Sequence, residues 1–357
     1  MTISLVQAAQ NADSMFSEIP IIDLQGLSNS DPAVQRALAA EVRHACINVG
    51  FFYVKNHGIS ETTLSHALDS MKTYFSLPTE TKTEAWHLLT RHMCKAWLIS
   101  LLSTTARYQE DAQLQRLQRG PHQQQRPLNR GDMHEGFEFG WEELNASKAA
   151  NDPKRVNDGA MAGANVWPAA APGFREAMLS YYHGAVALGK AMFPLFAMAL
   201  DLSPDYFDDK TKTSAAIMRA LHYPPQTGPA DDRVIGIGAH SDYECFTILW
   251  QEPGIQALQV LNANNQWIDA PPIPGTLVIN LGDQFAHWTN DVFKSTVHRA
   301  INRSGVERYS IPLFFGTDYD VPLEAIPSCI SADRPAHYEV VTAGDYVKEK
   351  LKATYGH

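Results

Sequence analysis

The chain has 357 residues, of which 45% are apolar, with four cysteines and a formal net charge of -10. That is enough apolar mass for a core that folds alone, as one large domain or two small ones. The acidic balance and the lack of a dense Lys/Arg block speak against a phosphate-backbone partner. No apolar run approaches the roughly 18 residues needed to span a bilayer. The start MTISLVQAAQNADS lacks a basic and apolar leader, and Cys46, Cys94, Cys245 and Cys329 are too scattered for a metal or disulfide framework. A cytoplasmic protein with reduced, buried thiols is expected.

Residues 1–18 read as a disordered tail. IPIIDL then supplies a strand, because a short β-branched run follows Pro20 and stops at polar residues. Asp31-Pro32 opens a helix to about Asn48, with Val34, Leu38, Val42 and Ala45 at helical spacing. FFYV makes a second strand, and Asn56-His57-Gly58 turns the chain, which gives His57 a structural role. Ser60 caps a helix reaching about Leu77, just before Pro78.

From His87 to Arg126 the composition changes. Six Lys or Arg stand against two Asp or Glu, with seven glutamines and no Gly or Pro before Gly120. Trp97, Leu98, Leu101 and Leu102 could line a surface or lid helix. The preferred expectation is an atypical insertion, either foreign text such as a translated intron or a divergent segment that packs poorly, so His87, His92 and His122 are assigned no chemistry. In MHEGFEFGWEEL the alternation of Phe137, Phe139 and Trp141 predicts a strand or loop edge at a pocket mouth, with His134-Glu135 as a solvated pair. A small-residue loop follows up to Pro168. Pro172 to Leu202 is the longest predicted helix; Met178, Tyr182, Leu188, Phe193, Phe196 and Leu200 form a face broad enough to back a sheet. Ser203-Pro204-Asp205 is expected to begin a short helix.

Thereafter the chain reads as strands: IMRALHY, RVIGIGA, CFTILW, ALQVL, TLVINL, STVHRAI and RYSIPLFF, before a final helix in AGDYVKEKLKATYGH. Short strands cut by turn residues predict a sandwich or barrel, so the fold class is mainly β with flanking helices (α+β). RVIGIGA runs into His240-Ser241-Asp242. Side chains two apart on an extended segment share a face, so an imidazole and a carboxylate can converge on one ion. With 14 histidines in the chain, chance explains that spacing equally well. KSTVHRAIN adds His298, and ten residues later ERYSIPLFF presents Arg308 and Ser310 on one strand face. Two histidines and one carboxylate hold a divalent metal and leave one side open; an arginine and a hydroxyl at i and i+2 suit an incoming carboxylate. The set predicts a metal plus an acidic co-substrate. Asp283, Trp288 and Asn290 are expected as turn or supporting groups, His287 in a loop, and His222 on the strand face opposite Tyr223.

On these residues the chain resembles the Fe(II)- and 2-oxoglutarate-dependent dioxygenases of the isopenicillin N synthase-like superfamily. His240 and Asp242, His298, and Arg308 with Ser310 are similar to the HxD, distal His and RxS motifs; IPIIDL, VGFFYVKNHGI, NVWP, LHYPP and LGDQFAHWTNDVFKSTVHRAINRSG are similar to family segments in the family order. The resemblance covers most of residues 19–350 outside the atypical interval. It implies a double-stranded β-helix (jelly roll) core, with 19–170 as an N-terminal region and 171–357 as backing helix, jelly-roll domain and C-terminal helix. It also implies that Fe(II) is held by His240, Asp242 and His298. 2-Oxoglutarate would chelate the metal while Arg308 and Ser310 hold its far carboxylate and the Tyr223 hydroxyl contacts it. O2 is then the oxidant, ascorbate an activator, and succinate and CO2 are released. The expected outcome is hydroxylation, desaturation or cyclisation of a small, apolar metabolite in secondary metabolism by a monomer, with Phe137, Phe139, Phe246 and Phe315 as pocket candidates. Three other readings stay open: an isopenicillin N synthase-like oxidase without a keto acid, a zinc hydrolase whose three ligands activate water, and an inactive binding protein whose pocket is disrupted by residues 87–126.

Overall fold

A computed structural model describes residues 4–12, 15–82, 133–144, 165–225 and 236–355. The atypical interval expected at 87–126, including His87, His92, His122 and Cys94, lies outside the described residues.

Helices form one layer. Leu5–Gln10 is α1, inside the stretch expected to be a disordered tail: Ser4 caps it by accepting from the Gln7 amide, and Leu5 is buried in the main core. The apolar anchor, not the polar composition, decides the outcome there. Pro32–Asn48 is α2, started by Asp31, whose carboxylate accepts from Ala33 N at 2.8 Å with Pro32 in the first turn. Glu61–Phe75 is α3, capped by Ser60 through Thr63 N at 3.1 Å. Phe174–Ala199 is α4, with Met178, Tyr182, Leu188, Phe193 and Phe196 buried along it. The short helix expected from Ser203 starts later and is only a 3-10 turn, Asp208–Lys210, reached through turns at 204–207. Tyr206, Asp208 and Lys210 each donate to a carbonyl three residues back, giving successive tight turns that drop Phe207 into the core.

The strands are β1 (Ile21–Asp23), β2 (Phe51–Lys55), β3 (Glu135–Phe139), β4 (Ala216–Tyr223), β5 (Ile237–His240), β6 (Phe246–Gln251), β7 (Leu258–Leu261), β8 (Trp267–Asp269), β9 (Thr276–Leu281), β10 (His298–Ala300) and β11 (Arg308–Phe315). Asp283–Trp288 is α5 and Ala343–Tyr355 is α6. His287, expected in a loop, therefore lies on a helix too short to show periodicity in the sequence. Among the described residues, seven strands pair in the order β1-β2-β9-β6-β11-β4-β3 and four in the order β5-β10-β7-β8. Each of these pairs is antiparallel except β1 with β2.

The period of two along each strand of the larger sheet sorts its residues between two environments. Phe246, Ile248 and Trp250 of β6 and Tyr309, Ile311, Leu313 and Phe315 of β11 enter the main core against the helices. The intervening residues face the smaller sheet. Leu249 and Val278 pack there on Leu258 and Val260, and Leu221 and Tyr223 pack on Ile237 and Ala300. Phe137, Phe139, Phe246 and Phe315, expected to line a pocket, all belong to the helix-side core, where the Phe246 ring lies 5.5 Å from Phe193 and 5.4 Å from Phe315. Their strand parity points them away from the inner face.

Candidate functional site

Three donors meet between the sheets. His240 on β5 and His298 on β10 are directly opposed in register, which brings their ring centroids to 4.3 Å. Asp242 lies just past β5, with Oδ1 3.6 Å from His240 Nε2 and 3.8 Å from His298 Nε2. One ligand atom from each of the three falls within 4.8 Å of the others, a spread that one ion with ligand bonds of about 2 Å can close. Each histidine is turned by its other nitrogen. Nδ1 of His240 is 2.8 Å from Gly238 O, and Nδ1 of His298 is 3.2 Å from Thr296 O, so Nδ1 donates to a carbonyl and Nε2 presents its lone pair to the shared point. The larger sheet holds the carboxylate. Thr247 on β6 and Asn280 on β9, opposed in register, both donate to Asp242 Oδ2, Asn280 at 2.7 Å.

The electrostatics suit a cation. Burial alone would push the Asp242 carboxyl up, but the two imidazoles and the Thr247 hydroxyl outweigh it and hold it well below the usual carboxylate range. Burial, together with the neighbouring His240, pushes His298 down to about 4, so it is a neutral ligand near pH 7. Asp242 and His298 are buried, whereas the His240 side chain is 38% exposed; the site opens on that side. Imidazole and carboxylate donors, without thiolate, fit a redox-active iron better than a sulfur-bound centre.

Further along the inner face Arg308 is 1% exposed. Its Nη2 donates to Gln251 Oε1 at 3.3 Å and its guanidinium lies 4.8 Å from the Tyr223 ring centroid, but Nε and Nη1 have no hydrogen-bond partner among the described residues. Register places Tyr223 opposite Arg308, and Leu221 and Gln251 on either side of Ser310; Ser310 Oγ and Tyr223 Oη are 3.5 Å apart. A buried cation with unused donors beside two hydroxyls is complementary to a carboxylate. The residues present therefore fit both a divalent metal and an acidic chelator.

Sequence reasoning missed Thr247, Gln251, Asn280 and Glu244. Thr247 and Gln251 were signalled by parity, being polar residues at i and i+4 in an otherwise apolar strand. Glu244, 7% exposed, is pushed up to about 8 by burial. The remaining expectations divide. His222 faces away from Tyr223, stacked 4.9 Å from Tyr309. Glu135 is not solvated but paired with Lys82 Nζ at 2.8 Å and His222 Nδ1 at 3.0 Å. Asp283 accepts from Ser295 and Lys350, Trp288 is core, and Asn290 turns the chain at φ 52°.

A non-haem metal site at the mouth of a two-sheeted β fold defines the class. Residues 214–317 match the 2OG-Fe(II) oxygenase superfamily, and residues 19–170 match the non-haem dioxygenase in morphine synthesis N-terminal family. The 2-oxoglutarate-Fe(II) type oxidoreductase hxnY of Emericella nidulans is 34% identical over 94% of this chain and 90% of its own length. A full-length Neurospora crassa protein solved in complex with alpha-KG superposes with a TM-score of 0.75 at 26% identity, over 99% of this chain and 100% of that one. Its complex with alpha-KG and thymine gives a TM-score of 0.74 at 27% identity, over 94% and 97%. The chain belongs to the 2OG-Fe(II) oxygenase superfamily and is a non-haem iron, 2-oxoglutarate-dependent dioxygenase with a double-stranded β-helix core. Fe(II) and 2-oxoglutarate are its metal and co-substrate. No described helix is long and apolar enough to cross a membrane.

Proposed function

We propose that His240, Asp242 and His298 hold Fe(II), that Arg308, Ser310 and Tyr223 take the far carboxylate of 2-oxoglutarate, and that the enzyme thereby oxidises a small metabolite by hydroxylation, desaturation or cyclisation. The observation that carries this is Arg308: a guanidinium 1% exposed, with two unused donors, on the inner face that also holds the three metal donors. When bound, the iron and the keto acid supply O2-dependent oxidation of a C–H bond, coupled to conversion of 2-oxoglutarate to succinate and CO2.

The chain's own residues bind, orient and exclude water. The fork of Arg308 would hold the far carboxylate of the keto acid, Ser310 and Tyr223 would add hydroxyl donors, and Gln251 steadies the guanidinium from the neighbouring strand. Thr247 and Asn280 keep one oxygen of Asp242 occupied, so the other is aimed at the two imidazoles. Leu221, Ile237 and Ala300 beside Tyr223 keep that end dry, which strengthens the ionic contact.

The Neurospora crassa protein has been solved with thymine, itself a small molecule; a small-molecule substrate is the reading for this chain as well. We place the enzyme in secondary metabolism as a cytoplasmic monomer without a nucleic-acid or membrane partner. The residues 19–170 and 171–357 serve as its N-terminal and jelly-roll parts. The test is turnover of a metabolite library with Fe(II), ascorbate, O2 and 2-oxoglutarate, followed by mass spectrometry. One succinate per oxidised product is expected; product formation without succinate refutes the assignment of Arg308, Ser310 and Tyr223.

A further inference from the structure

Asp283 opens α5 just after β9 and reaches both halves of the metal site. Its amide donates to Asp242 O at 2.8 Å, so it fixes the backbone of the carboxylate ligand. Its Oδ1 accepts from Ser295 Oγ at 2.6 Å. Ser295 precedes Thr296, whose carbonyl oxygen lies 3.2 Å from Nδ1 of His298. One side chain thus holds the short segment that turns the His298 ring.

The other oxygen of Asp283 leads away from the metal. Oδ2 accepts from Lys350 Nζ at 2.7 Å, and Lys350 belongs to α6. The next residue repeats the link. Gln284, fully buried, donates from Nε2 to the carbonyl of Ala343, the first residue of α6, at 3.2 Å, while its amide donates to Tyr243 O at 3.1 Å, beside Asp242. Positions 343 and 350 are two helical turns apart, so both links come from one face of α6.

Packing alone does not fix the Asp283 carboxylate. With Ser295 and Lys350 it lines a cavity of about 750 Å3, its side chain 15% exposed and that of Lys350 37%. A carboxylate beside open space turns to water unless a cation restrains it, and a partly exposed pair of this kind adds little to overall stability. Its effect is on geometry.

We propose that Asp283 is a positioning residue for the metal ligands Asp242 and His298, and that Lys350 locks its carboxylate in place, which makes α6 a working part of the metal site. Without the ammonium, Asp283 releases Ser295, the Thr296 carbonyl drifts from His298 Nδ1, and Nε2 no longer points at the shared centre. Linkage makes the effect mutual: if a cation on α6 tightens the metal, the metal tightens α6.

The inference rests on the Fe(II)/2-oxoglutarate reading, and the experiment separates the two. The full-length protein is titrated with Fe(II) without O2, then with 2-oxoglutarate at saturating Fe(II). The wild type is compared with Lys350→Met, Ser295→Ala, their double variant and Lys350→Arg; the control is Lys348→Met, whose ammonium pairs with Asp345 on the exposed side of α6. Lys350→Met and Ser295→Ala are each expected to weaken Fe(II) about three- to tenfold, and the double variant to fall no more than about twofold below the weaker single. Lys350→Arg and Lys348→Met should match the wild type, with 2-oxoglutarate affinity held throughout. Fe(II) should also slow amide exchange along α6 in the wild type and not in Lys350→Met, a response that a helix packed for stability alone does not give. Unchanged Fe(II) affinity in Lys350→Met, additive losses in the double variant, or α6 exchange indifferent to Fe(II) overturns the inference. If Lys350→Met does not fold, Ser295→Ala and the exchange of the wild-type helix decide by the same criteria. A wild type that binds neither Fe(II) nor 2-oxoglutarate counts instead against the metal-site reading itself.

Discussion

Replacing Arg308 with methionine tests the acid-binding end in two opposite directions. In the protein without co-substrate the guanidinium is 1% exposed and has one hydrogen bond, at 3.3 Å to Gln251, with two donors unused. Substituting an apolar chain of similar length for such a buried cation is neutral or stabilising, here by about 1 kcal/mol. With 2-oxoglutarate bound, the same change removes two charged hydrogen bonds worth about 1.5–2 kcal/mol each, together about 3–4 kcal/mol, or two to three decades in affinity. At 100 times its Kd the co-substrate stabilises the wild type by about 2.7 kcal/mol; the variant at that concentration gains at most about 0.4 kcal/mol. Urea unfolding of Arg308→Met with and without 2-oxoglutarate, under Fe(II) and without O2, reads both numbers. A variant that loses several kcal/mol on its own, or that keeps the co-substrate's stabilisation, would falsify the assignment.

Thr247→Val removes one of the two donors on Asp242 Oδ2 while preserving shape, so Fe(II) affinity should drop about 10- to 100-fold with 2-oxoglutarate affinity little changed; anaerobic Fe(II) titration decides, and an unchanged Kd counts against an orienting role. Gly282→Ala places a Cβ 2.1 Å from a backbone oxygen and 3.0 Å from Asp242 O, where nothing flexible can yield, so it should cost about 3 kcal/mol of stability and weaken metal binding, whereas Gly316→Ala meets only the Glu244 carboxylate and should cost less; the order of the two in chemical denaturation is the check. For Glu135 burial pushes the carboxyl up, but hydrogen bonds from His222 and Lys82 outweigh it and the net direction is down. Its contribution is therefore present above the unfolded value of about 4.3 and lost as pH falls through the lower folded one, so Glu135→Gln should cost about 1–2 kcal/mol at pH 7, with the gap to wild type closing below about pH 4.

Much of the site was legible because its residues carry chemistry that strand cores do not need. His240, Asp242, His298, Arg308 and Ser310 interrupt apolar runs at spacings that put each on one face, and the register of β5 with β10 converges the histidines as that parity requires. Helices α2 and α3 begin at the capping residues Asp31 and Ser60 for the same local reason. What failed was long-range. The alternation in CFTILWQ was visible, but which half faces the metal depends on Thr247 meeting Asp242, a contact that no local pattern encodes. Phe246 and Phe315 were placed on the wrong side accordingly. The short elements α1, β8 and α5 hold three to six residues each, too few for periodicity to speak, and are fixed by what they pack against.

His240 and His298 belong to a sheet whose strands are only three or four residues long, while the groups that steady Asp242 belong to β6 and β9 of the other, six residues each. A single ion on these donors acts as a rivet through both layers, and its removal frees the thinner one to breathe. Chelation should therefore speed amide exchange in β5 and β10 far more than in β6 and β9, turning metal occupancy into a local melting transition of the smaller sheet.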